Sequence, residues 1–219
     1  MAGMYIVGTE SCSISVDEPS VLVTALYIRE IIGISGLTAP EVPLLDPSSK
    51  IWPAWAPRPS AGLVEPPDPF DGLLNREQTA GEWARWWRHA LALGSAAGDD
   101  LRPPRFPAFQ STPSLRTVLR LHSERAMLWT DSIQTDPRVK RAHAAPRDGL
   151  EELAREAGRA WKSRPFRLRL TVIPVANKRA WQLAPDHILL SRQLIADREN
   201  VLDWLRYHIL SDSADLTRS

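Results

Sequence analysis

The sequence predicts an α+β fold: a small antiparallel sheet packed with four to five helices, with a Pro-rich segment wrapping the outside. Three observations predict it. In Phe166–Ile173, Phe166, Leu168, Leu170 and Val172 fall on one side of an extended chain, with Arg167, Arg169 and Thr171 on the other. This is the period-two mark of a half-buried strand. Elsewhere apolar residues recur mostly at helical spacing. Nine prolines stand between Pro40 and Pro69, where neither helix nor sheet can run. With 219 residues, 43% of them hydrophobic, the chain can bury a core without staples, and a single domain over residues 1–219 is expected.

In order, residues 4–16 read as a short hairpin turning at Thr9-Glu10-Ser11. A helix follows, with Asp17 as N-cap, Pro19 just inside and Gly33 at the exit. It is apolar around most of its circumference and therefore central. Residues 34–76 form an irregular strap in which Trp52, Trp55 and Arg58 would line one edge of a polyproline II turn. That edge can dock a partner or lie across the protein itself. The next helix spans Thr79 to Gly94, with Thr79 and Glu82 as a capping box and Trp83, Trp86, Trp87, Ala90 and Leu91 as a stripe that reads as core. Thr112 and Pro113 open a third helix whose stripe is Leu115, Val118, Leu119, His122, Ala126, Trp129 and Ile133. Residues 134–147 lack periodicity and read as a basic connector.

A fourth helix carries Leu150, Leu153, Ala154, Ala157 and Trp161 on one face and ends at Pro165. The core hairpin spans about residues 166–190: strand 166–173, a turn at Ala176-Asn177-Lys178, strand 179–184, and a short third strand from His187. Pro174 should sit at an edge or bulge because it lacks a ladder donor. A last helix starts near Asp197, and residues 211–219 form a frayed tail.

Composition bounds the function. A single cysteine, Cys12, excludes an intramolecular disulfide and suits a reducing cytoplasm. The N-terminus has no secretory pattern, and no stretch approaches the roughly 20 apolar residues that span a bilayer. The excess of Arg over Lys, with abundant Pro, matches the codon bias of a GC-rich bacterial genome. Net charge is +1, unevenly placed: residues 1–75 hold nine acids and three bases, residues 138–179 four acids and twelve bases. Complementary docking of charged surfaces, or an anionic partner for the basic segment, follows from that asymmetry.

Candidate chemistry is sparse. His122-Ser123-Glu124 has the local form of a deaminase H-x-E element, but the required Pro-Cys-x-x-Cys cannot exist with one cysteine. Asp186, His187 and Ser191 bring the residue types of a nucleophilic triad close in sequence, although strand alternation sends Asp186 and His187 to opposite faces. Cys12 sits among Glu10, Ser11 and Ser13, which do not favour a thiolate. No histidine pair has zinc spacing, and no glycine-rich nucleotide loop occurs, so neither metal nor cofactor is expected. Arg159, Arg167 and Arg169 could join in one basic patch able to hold phosphates. The expected function is a non-enzymatic cytoplasmic interaction protein, an adaptor or subunit of a complex, with a protein partner. The alternatives are nucleic-acid binding through residues 138–179 and a hydrolase or transferase built on His187, Asp186 and His122.

Overall fold

The computed structural model describes residues 4–34, 40–53, 68, 70, 74–101, 103, 105–160 and 165–215. The chain divides into two compact units. One takes in Glu18–Asp136 with Pro174–Ala176; the other takes in the N-terminal hairpin up to Asp17, Pro137–Ile173 and the chain from Asn177. No helix among the described residues is long and apolar enough to cross a membrane.

The first unit is helical. Its α1 (Ser20–Ile31) begins later than expected: Asp17 ends a strand, and Pro19 holds the N-cap without a side-chain bond. Gln134, fully buried, braces this helix start without taking up a backbone N–H. Its Nε2 donates to the Glu18 carbonyl (2.8 Å), and its Oε1 accepts from Ser20 Oγ (2.8 Å). Every residue of α1 from Val21 to Arg29 is buried, as its all-round hydrophobicity implies.

The second helix, α2 (Arg76–Leu93), also departs from expectation. Asn75 caps it, accepting from the Gln78 N–H (2.9 Å), so Thr79 and Glu82 do not form a capping box. The Trp stripe is core: Trp83 and Trp87 stack (5.7 Å, 11°), Trp86 meets Phe109 edge-on (5.3 Å), and Trp83 Nε1 donates to the Ala25 carbonyl (2.8 Å). Gly94–Leu101 and Pro107–Phe109 are 3₁₀ segments leading to α3 (Pro113–Thr135). Along α3 the expected stripe from Leu115 to Ile133 is buried, and Trp129 packs on Tyr27 at 5.4 Å.

Of the expected strap, residues 40–53 are tied to the end of α1. Arg29 donates to the carbonyls of Val42 (2.9 Å) and Pro43; Glu30 accepts from Ser48 Oγ (2.6 Å) and the Ser49 N–H (3.0 Å).

The second unit holds a five-stranded sheet: β1 (Tyr5–Gly8), β2 (Cys12–Asp17), β3 (Phe166–Ile173), β4 (Ala180–Ala184) and β5 (His187–Ser191), ordered β1-β2-β3-β5-β4. The N-terminal hairpin forms as expected. At its turn Gly8 has φ 99, and a Cβ there would stand 2.2 Å from the Cys12 carbonyl oxygen, so only glycine fits. The sheet is mixed rather than antiparallel. β2 and β3 run parallel, Cys12 opposite Phe166, and β3 and β5 run parallel, Arg169 opposite His187. The expected 166–184 hairpin does not exist. Instead β4 and β5 form the hairpin, turning at Pro185-Asp186, and β5 inserts beside β3. β3 is therefore interior and ends at Ile173, so Pro174 lies past the ladder rather than on an edge strand.

Phe166, Leu168, Leu170 and Val172 face a core shared with Ile14, Val16, Ile188 and Leu190 from neighbouring strands. α5 (Arg147–Ala160) and α7 (Arg198–Asp215) cover it through Leu150, Leu153, Ala154, Ala157, Val201, Leu205 and Ile209. The region read as an unstructured connector holds a helix, α4 (Pro137–Ala144), whose Pro-Arg-Val-Lys-Arg-Ala-His-Ala sequence has too few apolar residues to reveal its period. A single turn, α6 (Arg192–Ile195), precedes α7, which continues through Asp215.

Candidate interaction groove

Outside its buried stripe, α3 carries large apolar side chains on an otherwise polar face. On the side away from its buried stripe, Arg120, Ser123, Glu124, Met127, Leu128 and Asp131 follow at i, i+3, i+4, i+7, i+8 and i+11, one continuous line on a helix. Met127 and Leu128 are 39% and 40% exposed, and Leu121 nearby is 41% exposed. With Pro103, Arg105 and Phe106 these six residues line an open groove of about 780 Å³.

The wall opposite α3 is held in place by several bonds. Arg116 clamps it, donating through Nε (3.0 Å) and Nη2 (2.8 Å) to the Arg105 carbonyl. Phe106 adopts the left-handed conformation (φ 44, ψ 65), a costly state for a bulky residue, and is buried. The following turn is closed by the Phe109 N–H on the Phe106 carbonyl (3.0 Å), and Phe109 packs edge-on to Trp86. The α3 wall is anchored at its first turn. Thr112 makes no side-chain cap; the buried Glu82 carboxylate accepts from the Leu115 N–H (2.8 Å) and from Gln78 Nε2 (2.9 Å). A carboxylate at a helix start also complements the macrodipole. With Asn75 capping α2 and Thr79 inside the helix, the Glu82 carboxylate is left to serve α3.

Electrostatically the groove is mixed and balanced, with Arg105 and Arg120 against Glu124 and Asp131, and an apolar floor of Phe106, Met127 and Leu128. This is the composition of a docking surface: an apolar centre with a polar rim. Its openness leaves one side to solvent, unlike small-molecule sites that enclose most of the ligand. The sequence carries a signal for it, Leu121, Met127 and Leu128, three large apolar residues off the core stripe of α3.

Of the groups singled out for catalysis, His187, Ser191 and Cys12 are engaged within the fold through their side chains. His187 is 5% exposed, with Nδ1 2.7 Å from Arg169 Nη2 and Nε2 2.9 Å from Thr171 Oγ1. A guanidinium only donates, so Nδ1 accepts and Nε2 carries the proton. Burial first, then the Arg169 charge, push its pKa down to about 4, against an opposing pull from Asp186. Asp186 is exposed in the β4–β5 turn, where its carbonyl accepts from the Arg169 N–H (2.8 Å). Ser191 Oγ accepts from the N–H groups of Arg179 (2.9 Å) and Leu194 (3.2 Å), capping α6. His122 is buried on α3, its Nε2 without a hydrogen-bond partner among the described residues; burial, then Arg125, lower its pKa, with Asp68 opposing. The Cys12 thiol donates to the Ala154 carbonyl (3.1 Å), and burial raises its pKa. Among the described residues no cluster of His, Cys, Asp or Glu could hold a metal ion.

The sequence-derived binding candidates separate. Arg167 and Arg169 share the face of β3 opposite Leu168 and Leu170; Arg167 is exposed, while Arg169 is bonded to His187. Arg159 lies on α5, which covers the Leu168 face, so the two sets stand on different sides of the sheet. Trp52 is half-buried, and Trp55 and Arg58 lie outside the described residues, as does Trp161. Comparison with protein-family models, with curated proteins and with solved structures returns no match for this chain.

Proposed function

We propose that the chain is a non-enzymatic, cytoplasmic interaction protein, an adaptor or subunit of a protein complex, and that it meets a protein partner in the α3 groove. One observation carries this reading: exposed Met127 and Leu128 line an open, braced groove with charges of both signs on its rim. Apolar side chains on the outer face of a helix are otherwise a solubility cost, and a preformed wall lowers the ordering cost of binding. Further support comes from the polar groups of His187 and Ser191, which serve the fold. Nucleic-acid binding has weaker support, because Arg169 is committed to His187 and leaves Arg167 as the exposed base of that pair.

The test compares affinity-tagged wild type with Leu128→Asp, and with Tyr207→Asp as a control at a residue 77% exposed on α7. A protein retained by wild type and by the Tyr207 variant, lost with Leu128→Asp, and rebound in purified form supports the reading. Identical retention by all three, or retention of neither another chain nor an untagged copy of this one, overturns it.

A further inference from the structure

We infer that the occupant of the groove is a second copy of the same chain, with the two α3 helices lying antiparallel across a two-fold axis. This rests on the reading of the groove as a protein-docking site. In sequence the lining residues of α3 pair off about a point between Arg125 and Ala126: Arg120 with Asp131, Ser123 with Leu128, Glu124 with Met127. An isologous interface requires that if residue i meets residue j, then j meets i. Placed antiparallel, Arg120 faces Asp131 of the partner subunit, Asp131 faces Arg120 of the partner subunit, and the two ion pairs stand roughly 16 Å apart by the 1.5 Å rise per residue.

Between them Met127 lies along the stem of Glu124 of the partner subunit, and Leu128, on one flank of the stripe, lies on the same side as Leu128 of the partner subunit, while Ser123 on the other flank is buried. Like charges at both ends of this stripe would repel a copy of themselves; opposite charges equidistant from the centre attract it. The groove as a whole is balanced, two arginines against two acids, so two copies meet without net repulsion. Each α3 is also the ridge bounding its own groove, so ridge and groove interlock reciprocally. Among the described residues the side chains of Arg120 and Asp131 make no ion pair within the chain that would have to be broken first.

The experiment is sedimentation velocity over a dilution series on wild type, Arg120→Asp, Asp131→Arg and the double reversal Arg120→Asp/Asp131→Arg, with circular dichroism to verify folding. Wild type should be dimeric. Because each reversal acts twice by symmetry, either single variant should raise the dimer dissociation constant roughly tenfold or more, and the double reversal, which restores opposite charges, should recover dimerisation. Single reversals that leave the dimer unchanged, or a double reversal no better than the singles, overturn the inference. A monomeric wild type overturns it as well. If Leu128→Asp then still loses a captured protein, the occupant is another chain and the docking reading stands; if it loses nothing, both fall.

Discussion

The two compact units fill their interiors with different material. The helical unit relies on rings: Trp83, Trp87, Trp129, Tyr27 and Phe106 are its largest fully buried side chains. The sheet unit relies on branched aliphatics, Ile14, Val16, Leu168, Leu170, Val172, Ile188 and Leu190, repeated across neighbouring strands. Rings bury more area per residue but demand particular orientations and bring polar N–H groups inside. Only Trp83 has a protein acceptor for its indole N–H; those of Trp86, Trp87 and Trp129 have none among the described residues. The helical core therefore concentrates more of its buried area in rings, set among the aliphatics of α1 and α3, whereas the sheet core distributes it mainly over aliphatics.

The largest test of this contrast is Trp83→Ala. It removes a fully buried ring stacked on Trp87 together with the bond to Ala25, and should cost about 4–6 kcal/mol, cavity and hydrogen bond together. Leu170→Ala, at the centre of the sheet core, should cost about 3 kcal/mol. Denaturant unfolding of both variants checks the order; a larger loss for Leu170→Ala would reverse the assignment of concentrated and distributed cores.

Third comes pH. His187 has a folded pKa of about 4, below its unfolded value of about 6.5. The unfolded chain binds the proton first, so the stabilisation is complete above about pH 6.5 and is lost as pH falls toward 4, by on the order of 2–3 kcal/mol. His187→Gln should flatten that part of the pH–stability curve; an unchanged curve would show that burial and the Arg169 charge together do not disfavour protonation of His187. The smallest effect is Ser191→Ala, which removes the cap of α6 and should cost about 1 kcal/mol, read from the same unfolding curves.

How much of this was legible depends on whether the information is local. The N-terminal hairpin, the buried sides of α1 and α3, and the inward face of β3 follow from periodicity, because each element's own residues encode which side is apolar. The partner of β3 does not. Alternation states which face of a strand is buried and is silent on which strand lies beside it, so the parallel pairing of β3 with Cys12–Asp17 and with His187–Ser191 is not readable from it, while the nearer Ala180–Ala184 reads as the natural pair. The same limit explains Glu82, whose spacing from Thr79 matched a local motif but whose carboxylate serves a residue 33 positions away. The groove was half legible: Leu121, Met127 and Leu128 stand in the sequence as surplus apolar residues, but the opposite wall depends on the backbone of Phe106 and the reach of Arg116.

The carboxylate of Glu82 gives the groove helix a beginning that its own sequence lacks. Residues 113–135 synthesised as a free peptide would carry Met127, Leu128 and both end charges yet would fray from the first turn, since neither Glu82 nor a capping residue ahead of Pro113 comes with it. The binding face is thus not a portable segment. It is the property of a folded chain in which one helix's core residue decides where another helix starts.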